Sequence, residues 1–256
     1  MQTWERAEIA RSSVEATLTP DNALRVNARQ LARYDHPPAD TAYPLEYSYH
    51  LLGDVRGKRI VDFGCGSGAN SVLLAGRGAH VWGVDISEDL IRLAARRLSV
   101  NGREGGASFV VGSAHDLPFP DASIDLVFGI AILHHLDLDL VSREVYRVLK
   151  PGGRAIFQEP VRNSALVRFL RSLIPYRAPD ISPYERPLTD GEVKRFTAPF
   201  ASVRMRAFGL PYVQAGQLLP FFRRRIDALY RSDAALLRQL PSLRYYAGIR
   251  VIEVTR

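Results

Sequence analysis

Three glycines at alternate positions follow an apolar run near residue 60, and they constrain the fold more than any other feature of the chain. The segment 61–68 reads VDFGCGSG. Glycines two residues apart let the backbone turn sharply and approach a ligand closely, because no side chain intervenes. A helix that begins directly after such a turn points its first amides at the same place, where they bind polar or anionic groups. The sequence therefore predicts a strand, a tight turn and a helix, with a ligand at the turn.

Short apolar runs alternate with helical segments over about 100 residues around this turn. Ser87 is a suitable helix cap, and two acids follow it in the first turn, where the helix dipole favours anions. Strands that alternate with helices predict a parallel sheet with right-handed crossovers and both faces covered. The predicted strands are 59–64, 80–85, 108–112, 124–129 and 154–160.

The two ends of the chain do not show this regular alternation of strands and helices. The first 50 residues are predicted to be helical, with a helix that begins at Thr19 and Pro20, and with a break at Pro37 and Pro38. Prolines recur between 160 and 200, where Thr189 begins a short capped helix. Further along, 212–240 is mostly helical, and 201–208 and 248–255 alternate like strands. We divide the chain into an N-terminal helical lid and substrate segment (1–57), a core (58–160), and a lid insertion with closing strands (161–256).

The overall charge is basic, with a formal net charge of +7 and a sequence pI of about 9.7. Such an excess is typical of proteins that bind nucleic acid, an anionic membrane or an acidic substrate. The arginines are nevertheless spread along the chain, with one tight cluster at 221–225, so we do not expect a nucleic-acid partner. Because the chain has no apolar run of membrane-spanning length, no signal-peptide pattern and only one cysteine, Cys65, we expect a cytoplasmic protein without a membrane span.

The glycine turn by itself is compatible with two classes of cofactor. Asp85 ends the next strand about 20 residues further on, where a carboxylate can bind both hydroxyls of a ribose. A nicotinamide or flavin dinucleotide and S-adenosylmethionine both need that arrangement. Gly64, Gly66 and Ala69 can even be fitted to the dinucleotide pattern of spaced glycines. The motif alone leaves both cofactors open.

Four segments together resemble one family. VDFGCGSG, GVDIS, GSAHDLPFPDASIDLVFGIAILHHL and REVYRVLKPGGRAIFQEP occur in the order and at about the spacing of class I S-adenosylmethionine-dependent methyltransferases. The resemblance covers about residues 58–160 and is greatest to the small-molecule group related to the ubiquinone and menaquinone methyltransferases. It implies an α/β fold: a Rossmann-like, doubly wound, seven-stranded sheet with an antiparallel closing strand, a helical N-terminal lid, and insertions before and between the last two strands.

The resemblance also implies which residues bind S-adenosylmethionine. The glycine turn would lie under the methionine part and the ribose, Asp85 would bind the ribose hydroxyls, and Ile86 would pack on the adenine. Many relatives have aspartate where this chain has Ser113, so we expect Ser113 to accept a weaker hydrogen bond from the adenine amine. The implied cofactor-binding residues are Asp62, Gly64, Gly66, Gly68, Asp85, Ile86, Ser113, Ala114, Gly129 and Ile130.

Methyl transfer needs the acceptor, the methyl carbon and the sulfur in line, and some acceptors also need a base. Two candidates follow the fourth and fifth strands, where an open sheet has its crevice. His134 and His135 are adjacent and point about 100° apart on a helical turn, and the resemblance places His135 nearer the transfer site. Glu159 ends the fifth strand. We expect His135 and Glu159 to be catalytic, and we expect no metal.

The acceptor is expected to lie between the N-terminal segment and the insertion. The aromatic and polar residues there that we assign to it are Tyr34, His36, Tyr43, Tyr47, Tyr184 and Arg186. We predict an enzyme that methylates O, N or C of a small organic metabolite, in the cytoplasm and in specialised metabolism. Two alternatives remain open: an RNA or protein methyltransferase, and an enzyme that binds the same cofactor without transferring its methyl group.

Overall fold

The computed structural model describes residues 3–218 and 224–256, except 166, 168 and 170–185. A seven-stranded sheet runs through it in the order β3-β2-β1-β4-β5-β7-β6. The first five strands are parallel, and β7 is antiparallel to both of its neighbours. This confirms the predicted Rossmann-like fold with an antiparallel closing strand. The strands are β1 (Arg59–Phe63), β2 (His80–Asp85), β3 (Ala107–Val111), β4 (Ile124–Ile130), β5 (Leu149–Pro160), β6 (Ser202–Phe208) and β7 (Ile249–Thr255).

Helices cover both faces of this sheet. In the N-terminal part they are α1 (Thr3–Leu18), α2 (Asp21–Leu24), α3 (Ala28–Asp35) and α4 (Pro44–Leu52). In the core they are α5 (Ala69–Gly76), α6 (Glu88–Val100) and α7 (Leu138–Val148). The C-terminal part contains α8 (Asp190–Thr197), α9 (Pro211–Leu218) and α10 (Ile226–Gln239).

Local capping sets several of these boundaries. The Ser87 side chain accepts a hydrogen bond from the backbone amide of Leu90, as the sequence predicted. The predicted capping box of Thr189 and Glu192 is also present at the start of α8. Asp137 caps α7 by accepting hydrogen bonds from two backbone amides. Side chains within four residues of a helix start therefore fix where these helices begin.

The N-terminal prediction was wrong in one detail. Pro20, not Thr19, occupies the cap position of α2, and α2 stops after one turn at Leu24. A new helix begins after Asn27, whose side chain accepts the amide of Gln30 while the Gln30 side chain accepts the amide of Asn27. This capping box competes with continuation of the first helix, because Asn27 must leave the helical conformation to cap the second.

A second difference lies where α7 meets β5. The sequence predicted a turn at Lys150–Gly153 that ends the helix and starts a strand. In the structure β5 already begins at Leu149, and the pairing with β4 shifts register between Ile124 and Leu126. Gly152 has φ +75°, which lets the early part of β5 turn while its amide donates to Arg256.

Two cores lie on opposite faces of the sheet, and neighbouring residues of one strand contribute to different cores. Val61 faces α7 and α8, while Ile60 faces α4 and α5. Arg154 in the middle of β5 donates to the carbonyls of Leu51 and Leu52 at the end of α4. The N-terminal segment thus shares a core with the sheet, and the division into three segments stays a prediction.

Candidate active site

A cleft opens at the carboxyl ends of β1, β2, β3 and β4, the edge where parallel α/β sheets bind their ligands. Seven residues predicted from the sequence line it: Gly64, Gly66, Asp85, Ile86, Ser113, Ala114 and His135. Other lining residues were not predicted: Arg11, Ser12, His115, Ala131, Ile132 and Leu136. We call this space the cofactor cleft.

Each of the three alternating glycines has a left-handed backbone that other residues rarely adopt: φ is +69° at Gly64, +49° at Gly66 and +75° at Gly68. A Cβ on Gly64 would lie 2.7 Å from the Ile132 side chain. A Cβ on Gly66 would meet no protein atom within 4 Å and would point into open space. Gly68 does not line the cleft, since a Cβ there would lie 2.7 Å from Cβ of Ala94 on α6. Gly68 therefore allows α5 and α6 to pack closely.

Asp85 ties the glycine turn to the end of β2. One carboxylate oxygen accepts the backbone amide of Gly66 and the other accepts the amide of Ser87, each at 2.9 Å. The side chain is half-buried and lines the cleft. Each carboxylate oxygen can accept more than one hydrogen bond, so Asp85 can also accept from a ribose diol.

Asp62 lies beneath the glycine turn and not in the cleft. It is buried, and the hydroxyl of Ser71 on α5 donates to it at 2.5 Å. The pKa of the Asp62 carboxyl is raised to about 7, chiefly by burial; the Ser71 hydrogen bond lowers it and the nearby charge of Asp85 raises it. Asp62 thus supports the turn from below through α5.

Ser113 is held by His115, two residues further on. The Ser113 hydroxyl oxygen accepts the backbone amide of His115 at 3.2 Å and lies 3.4 Å from its Nδ1. Nε2 of His115 is 3.0 Å from the backbone amide of Asp137, which can only donate. Nε2 is therefore unprotonated, and Nδ1 carries the proton and donates to Ser113. The Ser113 hydroxyl hydrogen is thus available to donate into the cleft, and the expected acceptance of a hydrogen bond from the adenine amine stays a prediction.

The end of β4 places different residues in the cleft from those predicted. Gly129 and Ile130 do not line it. A Cβ on Gly129 would lie 2.6 Å from the Phe157 ring, so this glycine makes room for the core, and Ile130 packs on the α4 face. The next two residues line the cleft instead, and Ala131 has a left-handed backbone with φ +55°.

The two candidate catalytic residues occupy different environments. His135 lines the cleft from a 3₁₀ turn over Leu133–His135. Glu159 is fully buried on β5 and does not line the cleft. Its Oε1 accepts the backbone amides of Ile132 and Leu133 at 2.9 and 2.8 Å, and its Oε2 lies 2.9 Å from Nδ1 of His134. Both oxygens of Glu159 are thus engaged in holding the turn that carries His135.

Comparison with known proteins decides between the two classes of cofactor. Residues 61–157 match the methyltransferase domain family. The chain is 32% identical over 218 residues to a fatty-acid O-methyltransferase of Mycolicibacterium smegmatis, an alignment that covers 80% of this chain and 68% of that protein. The chain belongs to the S-adenosylmethionine-dependent methyltransferases. The predicted resemblance, fold and cofactor are therefore confirmed.

Two further comparisons agree with this family. The methyltransferase is 42% identical over 113 residues to a demethylmenaquinone methyltransferase of Clavibacter sepedonicus, covering 42% of this chain and 43% of that protein. The methyltransferase spans less than half the length of several curated relatives that it matches. A solved geranyl diphosphate C-methyltransferase of Streptomyces coelicolor, in complex with Mg²⁺, geranyl diphosphate and S-adenosyl-L-homocysteine, has the same fold, with a TM-score of 0.60 and 18% identity over 99% of this chain and 97% of that one.

The cofactor cleft of the methyltransferase fits S-adenosylmethionine, which supplies a methyl group activated on a sulfonium. The open space beside Gly66 gives a ligand close access to the backbone, and the Asp85 carboxylate suits the ribose. Ile86 offers an apolar surface to the adenine, and the Ser113 hydroxyl can donate to a ring nitrogen. These four residues lie at or just after the carboxyl ends of β1, β2 and β3.

The residues assigned to the acceptor lie elsewhere. Tyr34 packs on Tyr49 of α4, His36 is exposed beside Asp35, and Tyr43 bonds Asp227 of α10 through its hydroxyl. Tyr47 is buried against Phe208, and Arg186 pairs with Glu192 at the start of α8. None of these five lines the cofactor cleft. Tyr184 falls outside the described residues.

A second cleft lies at the same edge of the sheet, beside the end of β5 and the start of β7. Neighbouring strands in a sheet are about 4.8 Å apart. Because β5 lies between β4 and β7, the start of β7 is about 10 Å from the end of β4, whose following residues line the cofactor cleft. Its walls include Pro160, Val161, Pro211, Tyr246 and Ile249, together with the polar residues Arg162, Asn163, Gln214 and Gln217. We call this space the second cleft. No pattern in the sequence pointed to it, because its walls come from four separate parts of the chain.

Two searches of the described part of the chain bear on partners. No helix there combines the length and the apolar character needed to cross a membrane. No group of three or more His, Cys, Asp or Glu side chains there is arranged to hold a metal ion.

Proposed function

We propose that the methyltransferase esterifies a carboxylate of an apolar organic acid, with the acid bound in the second cleft. The observation that carries this proposal is the position of the second cleft, about 10 Å along the sheet edge from the cofactor cleft. The similarity to a fatty-acid O-methyltransferase supports it, since that alignment extends well beyond residues 61–157.

The walls of the second cleft suit such an acid. Pro160, Val161 and Ile249 offer apolar surface to a hydrocarbon chain. The amide side chains of Asn163 and Gln214 offer donors. Among the described residues that line this cleft, Arg162 is a cation and none is a carboxylate. An anionic group is therefore favoured there over a cationic one.

A carboxylate acceptor needs no general base. Its oxygen is already anionic at neutral pH. As its bond to the methyl carbon forms, the carbon–sulfur bond breaks and the electron pair stays on sulfur, so that the products are a methyl ester and S-adenosylhomocysteine. No proton moves in this step. The protein then contributes alignment and exclusion of water.

This chemistry assigns different roles to the two residues that the sequence marked as catalytic. His135 lines the cofactor cleft next to Ile132 and is the group that we assign to the acceptor side of the transfer. It would orient the carboxylate and would not remove a proton. Glu159 acts through the turn, because its carboxylate holds the amides of Ile132 and Leu133. We assign Glu159 a positioning role.

We propose that the reaction takes place in the cytoplasm, with an acceptor from fatty-acid or specialised metabolism. The single cysteine, Cys65, is buried and unpaired, which accords with a reducing compartment. The similarity to the fatty-acid enzyme supports an acid of that kind.

The test is transfer of a labelled methyl group to three acceptors with one carbon skeleton: decanoic acid, decanol and decylamine. We expect labelled ester from the acid alone. His135→Gln is expected to lower kcat for the acid by less than about tenfold, because no proton transfer is lost, whereas loss of a general base costs about 10²–10⁴-fold. Labelled ether or amine without ester, or binding of S-adenosylhomocysteine with no transfer to any of the three, would overturn the proposal.

A cleft variant separates acceptor binding from cofactor binding. Gln214→Trp narrows the second cleft and is expected to raise KM for decanoic acid at least tenfold, with unchanged affinity for S-adenosylhomocysteine. Gln239→Trp, at the exposed end of α10, is the matched control and should change neither quantity. Equal KM values for the two variants would place the acid elsewhere.

A further inference from the structure

Helix α1 places two side chains in the cofactor cleft. The hydroxyl of Ser13 donates to Oδ2 of Asp89 at 2.6 Å, which fixes α1 on the first turn of α6. Asp89 lies four residues after Asp85, so α1 is anchored close to the expected ribose site. Arg11 and Ser12, which precede Ser13, line the cleft, and Ser12 is buried.

The charges that line the cofactor cleft are few. Among its described lining residues, Arg11 is the one permanently charged cation and Asp85 the one carboxylate. Asp62 adds a further acid immediately below the glycine turn. An anionic ligand group that enters beside these two acids would be repelled unless a cation faces it.

S-Adenosylmethionine carries one anionic group, the carboxylate of its methionine part. Asp85 suits the ribose, while Ile86 and Ser113 suit the adenine, so the glycine turn and Arg11 are left for the methionine part. We propose that Arg11 binds the methionine carboxylate of the cofactor and that α1 thereby closes over the bound cofactor. A guanidinium binds a carboxylate through two parallel hydrogen bonds, which also fixes its orientation.

This proposal depends on the cofactor and not on the acceptor, so it can fail while the proposed ester synthesis stands. A charge-assisted hydrogen bond contributes more than a neutral one, and the cleft is only partly open to solvent. Loss of such a contact is expected to weaken binding about 10- to 100-fold. The loss should appear only for ligands that carry the carboxylate.

The experiment compares two ligands by calorimetry: S-adenosylhomocysteine, and 5′-methylthioadenosine, which keeps the adenine, ribose and sulfur but lacks the amino-acid part. Arg11→Met is expected to weaken S-adenosylhomocysteine about 10- to 100-fold. It should change the affinity for 5′-methylthioadenosine less than twofold. Arg11→Lys keeps the charge without the planar fork and should bind S-adenosylhomocysteine with intermediate affinity.

The matched control is Arg92→Met, because Arg92 lies on the exposed side of α6, where it pairs with Glu88 and Asp89. It should alter neither affinity. Equal weakening of both ligands in Arg11→Met would show that Arg11 acts on the adenosine part or on the packing of α1, and would overturn the proposal. Unchanged affinity for both ligands would overturn it equally. Arg11→Lys with the same affinities as Arg11→Met would show that the charge is not involved.

Discussion

The carboxylate of Glu159 lies 2.9 Å from Nδ1 of His134, across the gap between β5 and the turn that follows β4. The His134 side chain is 7% exposed and that of Glu159 is 0% exposed, so solvent cannot replace either partner. The rings of His134 and His135 are in contact, with centroids 4.1 Å apart and a tilt of 38° between their planes. The position of the histidine that lines the cofactor cleft is therefore fixed by a buried acid on the neighbouring strand.

Replacement of Glu159 is expected to lower the free energy of unfolding, and to affect methyl transfer only through the turn that Glu159 holds. Glu159→Ala leaves the amides of Ile132 and Leu133 and the ring of His134 without an acceptor, at an expected cost of about 3–5 kcal/mol in the free energy of unfolding. Glu159→Gln keeps one oxygen for the amides and should cost about 1–2 kcal/mol. Urea denaturation measures both values. Equal stability of Glu159→Ala and the unmodified protein would contradict the assignment.

The buried acid Asp62 should make stability depend on pH. Burial raises the pKa of Asp62 from 3.8 to about 7, so the folded state binds more protons than the unfolded state between these values. The contribution of Asp62 to stability is therefore present below about pH 4 and is lost as the pH rises towards 7. Asp62→Asn removes this loss, because an amide does not titrate and can still accept from Ser71.

The measurement is the difference in unfolding free energy between Asp62→Asn and the unmodified protein at several pH values. Between pH 5 and 7 this difference should shift in favour of the variant by up to about 1.4 kcal/mol per pH unit. Other titrating groups cancel in the comparison. A difference that is constant over this range would show that Asp62 is ionised in the folded protein throughout.

A substitution at Gly66 is expected to weaken cofactor binding with only a limited effect on folding. Gly66→Ala adds a methyl group that meets no protein atom within 4 Å, so its cost to folding is limited to the left-handed backbone, about 1–2 kcal/mol. Because Gly66 lines the cofactor cleft, we expect the added methyl group to weaken binding of S-adenosylhomocysteine at least tenfold in calorimetry. Gly57→Ala is the control, because Gly57 has φ +69° and open space around it but lies in an exposed turn before β1. It should lose similar stability and no affinity.

Ala131 carries backbone strain at the edge of the cofactor cleft. Its φ of +55° is unfavourable for alanine, so Ala131→Gly should raise the unfolding free energy by about 0.5–1 kcal/mol, after allowance for the greater freedom of glycine in the unfolded chain. Ala122 has φ +49° in an exposed turn outside the cleft, and Ala122→Gly should stabilise similarly. Thermal denaturation tests both. Methyl transfer should change only in the Ala131 variant, and equal activities would show that the strain has no role in the site.

The sequence predicted the features that depend on nearby residues. Apart from the early start of β5, each strand of the sheet begins and ends within a residue or two of its predicted limits, because apolar alternation and glycine turns act over a few positions. Gly64, Gly66 and Asp85 reach the cleft for the same reason, since a strand end and the next turn fix their place. The caps at Ser87 and Thr189 depend on residues three positions away.

The features that depend on distant residues were not predictable in this way. Arg11 reaches the cleft because α1 packs on α6, where Ser13 bonds Asp89, 76 residues away. Glu159 serves the turn at Ile132, 27 residues earlier, and its place at a strand end gave no sign of that. Tyr43 carries a suitable functional group for an acceptor site, but it instead bonds Asp227, 184 residues further on. The residue types showed which side chains could have a functional role, but tertiary packing determines which partners those side chains contact.

The position of β7 in the sheet also bears on how the protein is made. In the described part of the chain β6 pairs only with β7, and β7 is synthesised about 40 residues later. On the ribosome β6 must therefore wait for its neighbour, with its edge exposed to other nascent chains. The second cleft cannot close before then either, because Gly248 and Ile249 form one of its walls. The residues that line the cofactor cleft all belong to segments made earlier, so they are synthesised before the walls of the second cleft are complete.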